Sequence, residues 1–310
     1  MADIILEAVN LNYSYPDGTQ ALKDLSIKIP KGQKTAVLGS NGAGKSTLFL
    51  HFNGILRPKS GVVRFAGKDI SYDRKPLLEL RKNVGIVFQD PDSQLFSASV
   101  YQEISFGPLN LGLPEKTVRE RVEQAMTATG IKELQDKPTH MLSYGQKKRV
   151  TIADILAMEP QMLICDEPTA WLDPKHASQT IQLFNHIIQN GTTVILSTHD
   201  VDLAYSWADY VFIMSDGCII GEGIPATVFR DDILIRKADL NRPWIVDMYD
   251  LLIKKGCLTV KTPLPSNKEE LFEVMLNHGI CGGEQANYDY CTFGDAGRKR
   301  DKFAAGFKGL

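Results

Sequence analysis

The chain has 310 residues, enough for one large or two modest domains around a sizeable buried core. A formal charge of −2 gives no basic field to hold nucleic acid; no apolar run approaches the roughly 18–20 residues that span a bilayer, and the first residues lack a charged-then-apolar signal pattern, so a soluble, cytoplasmic chain is expected. Five cysteines (Cys165, Cys218, Cys257, Cys281, Cys291) are scattered with no C-x-x-C pair, which argues against a disulfide frame or a zinc site and fits reduced thiols.

In chain order, residues 3 to about 30 alternate as two strands around the turn Ser14-Tyr15-Pro16-Asp17-Gly18. Thr35-Ala36-Val37-Leu38 is a short apolar strand, and a helical pattern begins near Lys45 and runs to Phe52. Another apolar strand ends at Val87. Residues 115–129 hold helical spacing through Val118, Val122, Ala125, Met126 and Thr129, with Glu115 four residues before Arg119. Ser143 with Gln146 forms a capping box ahead of Val150, Ile152, Ala153 and Ile155. The strand Met162-Leu163-Ile164-Cys165, a helix over about 175–190 and the strand Thr193 to Ser197 follow. Val211 to Met214, the turn Ser215-Asp216-Gly217 and Cys218 to Ile220 make a hairpin. Short continuous apolar runs separated by helices predict a parallel sheet covered on both faces, and no internal repeat divides it.

The string between the first apolar strand and its helix is Gly39-Ser40-Asn41-Gly42-Ala43-Gly44-Lys45-Ser46, which fits the G-x-x-x-x-G-K-[ST] phosphate loop in its required strand-to-helix setting. Glycines at 39, 42 and 44 let successive N–H groups turn inward on a di- or triphosphate, and the helix start adds a positive dipole end. Lys45 would reach the β- and γ-phosphates and the Ser46 hydroxyl would ligate Mg²⁺, with Thr47 next in the helix.

Leu142-Ser143-Tyr144-Gly145-Gln146, about twenty residues before Cys165-Asp166-Glu167, resembles the L-S-G-G-Q signature of the ABC-transporter ATPase family, with Tyr144 in place of a glycine. In that family the signature serine and helix N-terminus bind the γ-phosphate of ATP held by the other subunit, which implies Ser143, Gly145 and Gln146. The same resemblance implies Gln89 as the Q-loop glutamine that ligates Mg²⁺ and whose loop touches the membrane subunit. It implies Asp166 as the Walker B metal ligand, Glu167 as general base and His199 as the switch histidine on the γ-phosphate. Ala170-Trp171-Leu172-Asp173 resembles the D-loop that crosses the dimer, and Tyr15 the aromatic that stacks on adenine, with Tyr13 a near competitor. Phe88 to Phe96, Glu103 to Pro108 and Asn110 to Leu113 resemble the ATPase subunits of cobalt and nickel importers and of energy-coupling-factor (ECF) vitamin importers.

The expected fold class is α/β: a P-loop NTPase, ABC-type ATPase domain over 1–225 with a peripheral antiparallel β portion and a helical subdomain over about 90–158. A small C-terminal extension over 226–280 carries a helix capped by Ser266 and Glu269 that presents Leu271, Val274 and Met275. Residues 281–310, with the basic run Arg298 to Lys302, are expected to be a flexible tail. The resemblance implies ATP and Mg²⁺, a homodimer or a heterodimer with a similar ATPase, transmembrane transport subunits as partners, and a peripheral place on the cytoplasmic face of the membrane with contact only through them. Two alternatives stay open: a soluble ABC ATPase of DNA repair or translation, and a module that binds ATP without turning it over. A single nucleotide unit without a coiled-coil insertion argues against the first, and Glu167 with His199 against the second.

Overall fold

The computed structural model describes residues 3–280. The expectations for Cys281, Cys291, the 298–302 run and the tail lie outside these residues.

An antiparallel layer comes first. Strands β1 (Ile4–Ser14) and β2 (Gln20–Pro30) pair around a turn closed by Tyr15 N–H to Thr19 O and Gly18 N–H to Tyr15 O. With β4 (Ser60–Phe65) and β5 (Lys68–Asp69) they form a sheet in the order β2-β1-β4-β5. Strand β3 (Lys34–Leu38) passes into the second sheet and feeds α1 (Lys45–Phe52). Helix α2 (Arg74–Asn83) leads to β6 (Val84–Val87), and α3 (Val100–Asn110), α4 (Glu115–Ala128) and α5 (Tyr144–Leu156) follow. Then come β7 (Met162–Cys165), α6 (Pro174–Gln189), β8 (Thr193–Thr198), α7 (Val201–Trp207), β9 (Tyr210–Ser215) and β10 (Cys218–Gly223).

The second sheet has the order β10-β9-β3-β8-β7-β6. Strands β9, β3, β8, β7 and β6 run parallel, and β10 closes the edge as the antiparallel arm of a hairpin. Its residues alternate between two buried faces. Ala36, Leu38, Leu163, Cys165, Leu196 and Ile213 enter one apolar cluster; Val37, Ile164, Ile195 and Phe212 enter the other, which also holds Phe49 and Phe52 of α1. Burial on both sides is why these strands read as continuous apolar runs. Each side chain that goes from water into such a core contributes about 1.5–3 kcal/mol.

Helices α3, α4 and α5 make their own cluster through Val100, Ile104, Val118, Val122 and Val150, while Ile152 and Ile155 of α5 face the sheet. The Glu115–Arg119 pair forms at 3.2 Å. After β10 come α8 (Pro225–Val228), α9 (Asp232–Lys237), α10 (Trp244–Lys254) and α11 (Lys268–Asn277). Ile245 and Val246 dock α10 on the main core, whereas Tyr249, Leu252 and Leu271 form a small cluster with Leu258. The expected cap of the last helix is shifted by one residue. Asn267, not Ser266, is the N-cap and accepts from Glu270 N–H at 2.9 Å. Glu270, not Glu269, takes the reciprocal bonds from Ser266 N and Oγ, because the chain stays extended through Asn267 (φ −147, ψ 174) and delays the helix.

Candidate functional site

In a parallel sheet the loops that leave the carboxyl ends of the strands converge, and ligands bind there. The phosphate loop leaves β3, Gln89 follows β6, Asp166 and Glu167 follow β7, and His199 follows β8. The loop's shape depends on glycine. A Cβ on Gly39 would stand 2.2 Å from Met214 O, and Gly44 at φ +102 would press one within 2.6 Å of Ala21 O. Ala43 N–H is taken by Ser40 O at 3.2 Å, while Asn41 and Gly42 are exposed at the turn. The N–H groups of Lys45, Ser46 and Thr47 open α1 and so have no partner within the helix.

Lys45 is buried, and its ammonium donates to Gly39 O at 2.7 Å and Ser40 O at 3.2 Å with Glu167 Oε1 at 3.9 Å. Burial lowers its proton affinity, against the pull of Glu167 and Asp166. A desolvated cation at the mouth of a ring of N–H donors calls for a polyanion. Asp166 and Glu167 are both buried. Ser197, at the end of β8, donates to Asp166 Oδ1 at 2.5 Å and accepts from Glu167 N–H at 2.9 Å, so one hydroxyl sets both acids. Glu167 adopts φ +46, a left-handed conformation that costs a non-glycine residue about 1–2 kcal/mol and here turns its carboxylate onto Lys45 and onto His199 Nδ1 at 3.1 Å. A carboxylate held between an ammonium and an imidazole beside a phosphate loop can accept a proton from water.

The donors expected for a metal, the Ser46 hydroxyl, the Asp166 carboxylate and the Gln89 amide, are all oxygen, the set that suits Mg²⁺. Ser46 and Gln89 are exposed and Asp166 is oriented by Ser197, so the residues present fit that ion. Tyr15 Oη pairs with Thr47 Oγ1 at 3.0 Å, which ties the ring to the first turn of α1. Tyr13 instead lies edge-on between Tyr15 (5.1 Å) and the buried His51 (4.8 Å) and packs on the core.

Ser143 caps α5 through the full capping box: Gln146 N–H donates to its Oγ at 3.4 Å, and its own N–H donates to Gln146 Oε1 at 3.0 Å. Among the described residues no hydrogen bond or ion pair joins 143–146 to the phosphate loop of the same chain. Asp173 caps α6 by accepting from His176 N–H at 3.0 Å, and Trp171 stands 83% exposed at φ +64. Sequence reasoning missed Ser197, whose signal was its place two residues before His199 at a strand end. It also missed Lys148, whose ammonium donates to Phe88 O and Gln89 O at 2.8 Å each, and the bond from Tyr144 Oη to Gln89 O. Among the described residues no cluster of His, Cys, Asp and Glu is built to hold a metal alone, and no helix is long and apolar enough to cross a membrane.

Comparison with known proteins places this geometry. The family model described as ABC transporter matches residues 22–170. A putative ABC transporter ATP-binding protein of Methanothermobacter marburgensis is 52% identical over 261 residues, 84% of this chain and 94% of the relative. The energy-coupling factor transporter ATP-binding protein EcfA of Methanocaldococcus jannaschii is 51% identical over 257 residues, 83% of this chain and 92% of its own. Among solved structures, cbiO1 of Clostridium perfringens, described as part of the ABC transporter complex cbiONQ, superposes with a TM-score of 0.69 at 52% identity over 80% of this chain and 99% of that one. With a phosphate loop, an acidic pair and a histidine gathered at the carboxyl ends of the central strands, and relatives of this identity along most of its length, the chain belongs to the ABC transporter family as one of its ATP-binding, ATP-hydrolysing subunits.

Proposed function

We propose that this chain powers an importer of the ECF and cobalt/nickel type, carrying a cobalt or nickel ion or a vitamin, from a peripheral position on the cytoplasmic face of the membrane. The observation that carries the reading is the meeting of Lys45, Asp166, Glu167 and His199 at the phosphate loop, in a chain about half identical to an energy-coupling factor ATPase over most of both lengths. The chain is read as an ATP-binding domain over 1–225 and a small extension over 226–280; the separate cluster of α3, α4 and α5 supports the helical subdomain over about 90–158, whereas Val228 to Val246 of the extension pack into the main core and only Tyr249, Leu252, Leu258 and Leu271 form a cluster of their own.

In this reading the N–H groups of 39–47 and the Lys45 ammonium hold the β- and γ-phosphates, and Tyr15 stacks on adenine. Bound Mg²⁺, held by Ser46, Gln89 and Asp166, would neutralise phosphate charge. Glu167 takes the proton of the attacking water at its carboxylate, and His199 positions that carboxylate and meets the γ-phosphate. Ser143, Gly145 and Gln146 of a second subunit, identical or similar, cover the same phosphate with an α5 N-terminus, so two ATP molecules are sandwiched head to tail. Closing favours ATP, and reopening after hydrolysis moves the membrane subunits.

Purification from membranes with the proteins that accompany it, followed by ATP-driven uptake of Co²⁺, Ni²⁺ and vitamins by the reconstituted complex, tests the assignment. Uptake of one cargo that stops with Glu167→Gln is the expected result. A fully active ATPase with no membrane partner would overturn it.

A further inference from the structure

The segment that carries Gln89 is tied to the head of α5 by bonds that nucleotide chemistry does not require. Lys148 is a fully buried lysine whose ammonium donates to two successive carbonyls, Phe88 O and Gln89 O, both at 2.8 Å. One helical turn earlier, Tyr144 Oη donates to the same Gln89 carbonyl at 3.0 Å, so that oxygen accepts two hydrogen bonds from residues i and i+4 of one helix face. Lys147 Nζ reaches Asp92 Oδ1 at 2.5 Å, two residues beyond Asp90, which opens a short turn over 91–93. That turn is closed from within by Phe88 N–H to Gln94 Oε1 at 3.1 Å.

A buried ammonium is tolerated only where its protons are taken up, and here they are spent on the backbone of this loop instead of on a carboxylate. The donors lie in the first two turns of α5, one and five residues after its N-cap Ser143. Tyr144 occupies the position at which a glycine, with no side chain, could make no such bond. We propose that Tyr144 and Lys148 are positioning residues that clamp the 88–94 loop to the head of α5, so that Gln89 and Ser143 of one chain move as a single body. Metal and ATP drawn to Gln89 in a chain's own site then set how Ser143 of that chain is presented to the second subunit, which makes the two sites cooperative. This step rests on the nucleotide reading above; the clamp itself does not.

The test uses the full chain with Tyr144→Phe, which keeps the half-buried ring and removes only the hydroxyl, and Lys148→Met as a stronger lesion. In nucleotide-free protein the amides of Phe88 and of Asp92 to Leu95, all hydrogen-bonded, should exchange with deuterium about fivefold faster in Tyr144→Phe, the factor that corresponds to one hydrogen bond of about 1 kcal/mol. The Mg²⁺ concentration for half-maximal ATP-dependent dimerisation should rise by roughly the same factor, and the Hill coefficient for ATP should fall towards one. Affinity for ATP at saturating Mg²⁺ should stay within about twofold, a split that a general loss of structure would not give. Unchanged exchange over these amides overturns the clamp. Faster exchange with an unchanged metal response and Hill coefficient overturns the coupling. A wild-type chain indifferent to Mg²⁺ and ATP overturns the nucleotide reading and the coupling with it, and is told apart because the exchange arm contains no nucleotide.

Discussion

Replacing Glu167 by glutamine keeps the shape of a buried side chain and removes its charge from a point 3.9 Å from Lys45 Nζ and 3.1 Å from His199 Nδ1. Two unit charges 3.9 Å apart attract by about 4 kcal/mol at an effective dielectric constant of about 20. The substitution recovers the desolvation of the carboxylate alone and leaves the Lys45 ammonium buried, so the loss stays at about 3–5 kcal/mol. Lys45 keeps its bonds to Gly39 O and Ser40 O, so the nucleotide-free variant should lose no more than that amount. At about 2–4 °C per kcal/mol it should melt roughly 6–20 °C lower. ATP brings negative charge past the same carboxylate, so the variant should bind ATP at least as tightly and recover the lost stability when it does. Turnover should fall by a factor on the order of 10² or more, because an amide cannot accept the proton of the attacking water. Phosphate release, ATP-dependent dimerisation and melting with and without ATP read the three effects. Near wild-type release would remove Glu167 from the role of base, and an unchanged melting temperature without ATP would refute the claim that it is the counter-ion of Lys45.

Tyr15→Ala should weaken ATP binding about tenfold, since a base stacked on an aromatic ring contributes about 1–3 kcal/mol, while Tyr13→Ala should mainly lower the melting temperature; a titration in which Tyr13→Ala loses more affinity would reverse the assignment. Burial, with Glu103 adding to it, pushes the Asp154 carboxyl from 3.8 up to about 7, so it folds protonated where the unfolded chain is ionised. Its contribution is therefore most favourable below 3.8 and declines as pH rises through the window from 3.8 to about 7, and Asp154→Asn should flatten the melting-temperature slope across that window; identical slopes in both chains would refute it. Deleting residues 281–310 should leave the ATPase rate within about twofold, and a collapse in rate or solubility would show that the segment is structural.

The readable parts of the fold were those with short-range signals. Continuous apolar runs announced β3, β7 and β8, the glycine spacing announced the phosphate loop, and Ser143 with Gln146 announced the start of α5, all of which formed. Helix α2 escaped because most of Arg74–Asn83 is polar and among its residues only Leu80 is fully buried. Strand β4 has Gly61 as its second residue, and α3 contains Gly107 and Pro108, so neither keeps a clean period. Within the site, residues that follow strand ends were legible because topology alone gathers them. Ser197, Lys148 and the hydroxyl of Tyr144 were not, since their partners lie 30 to 60 residues away and only the packed α5 and β8 bring them together. Asn267 shows the limit of local motifs: two overlapping capping patterns compete, and backbone geometry selects the later one.

The central claim, that each ATP is shared between Lys45 of one subunit and Ser143 of another, is tested by mixing two inactive chains. Lys45→Ala removes the charge on the phosphates, and Ser143→Arg blocks the facing helix start. In a mixed dimer both lesions fall in one composite site and the other keeps an intact Lys45 and an intact Ser143. Phosphate release and ATP-dependent dimerisation, measured across mixing ratios, should rise from nothing to a maximum near equal amounts, whereas a flat and inactive series in both assays would contradict the head-to-tail sandwich.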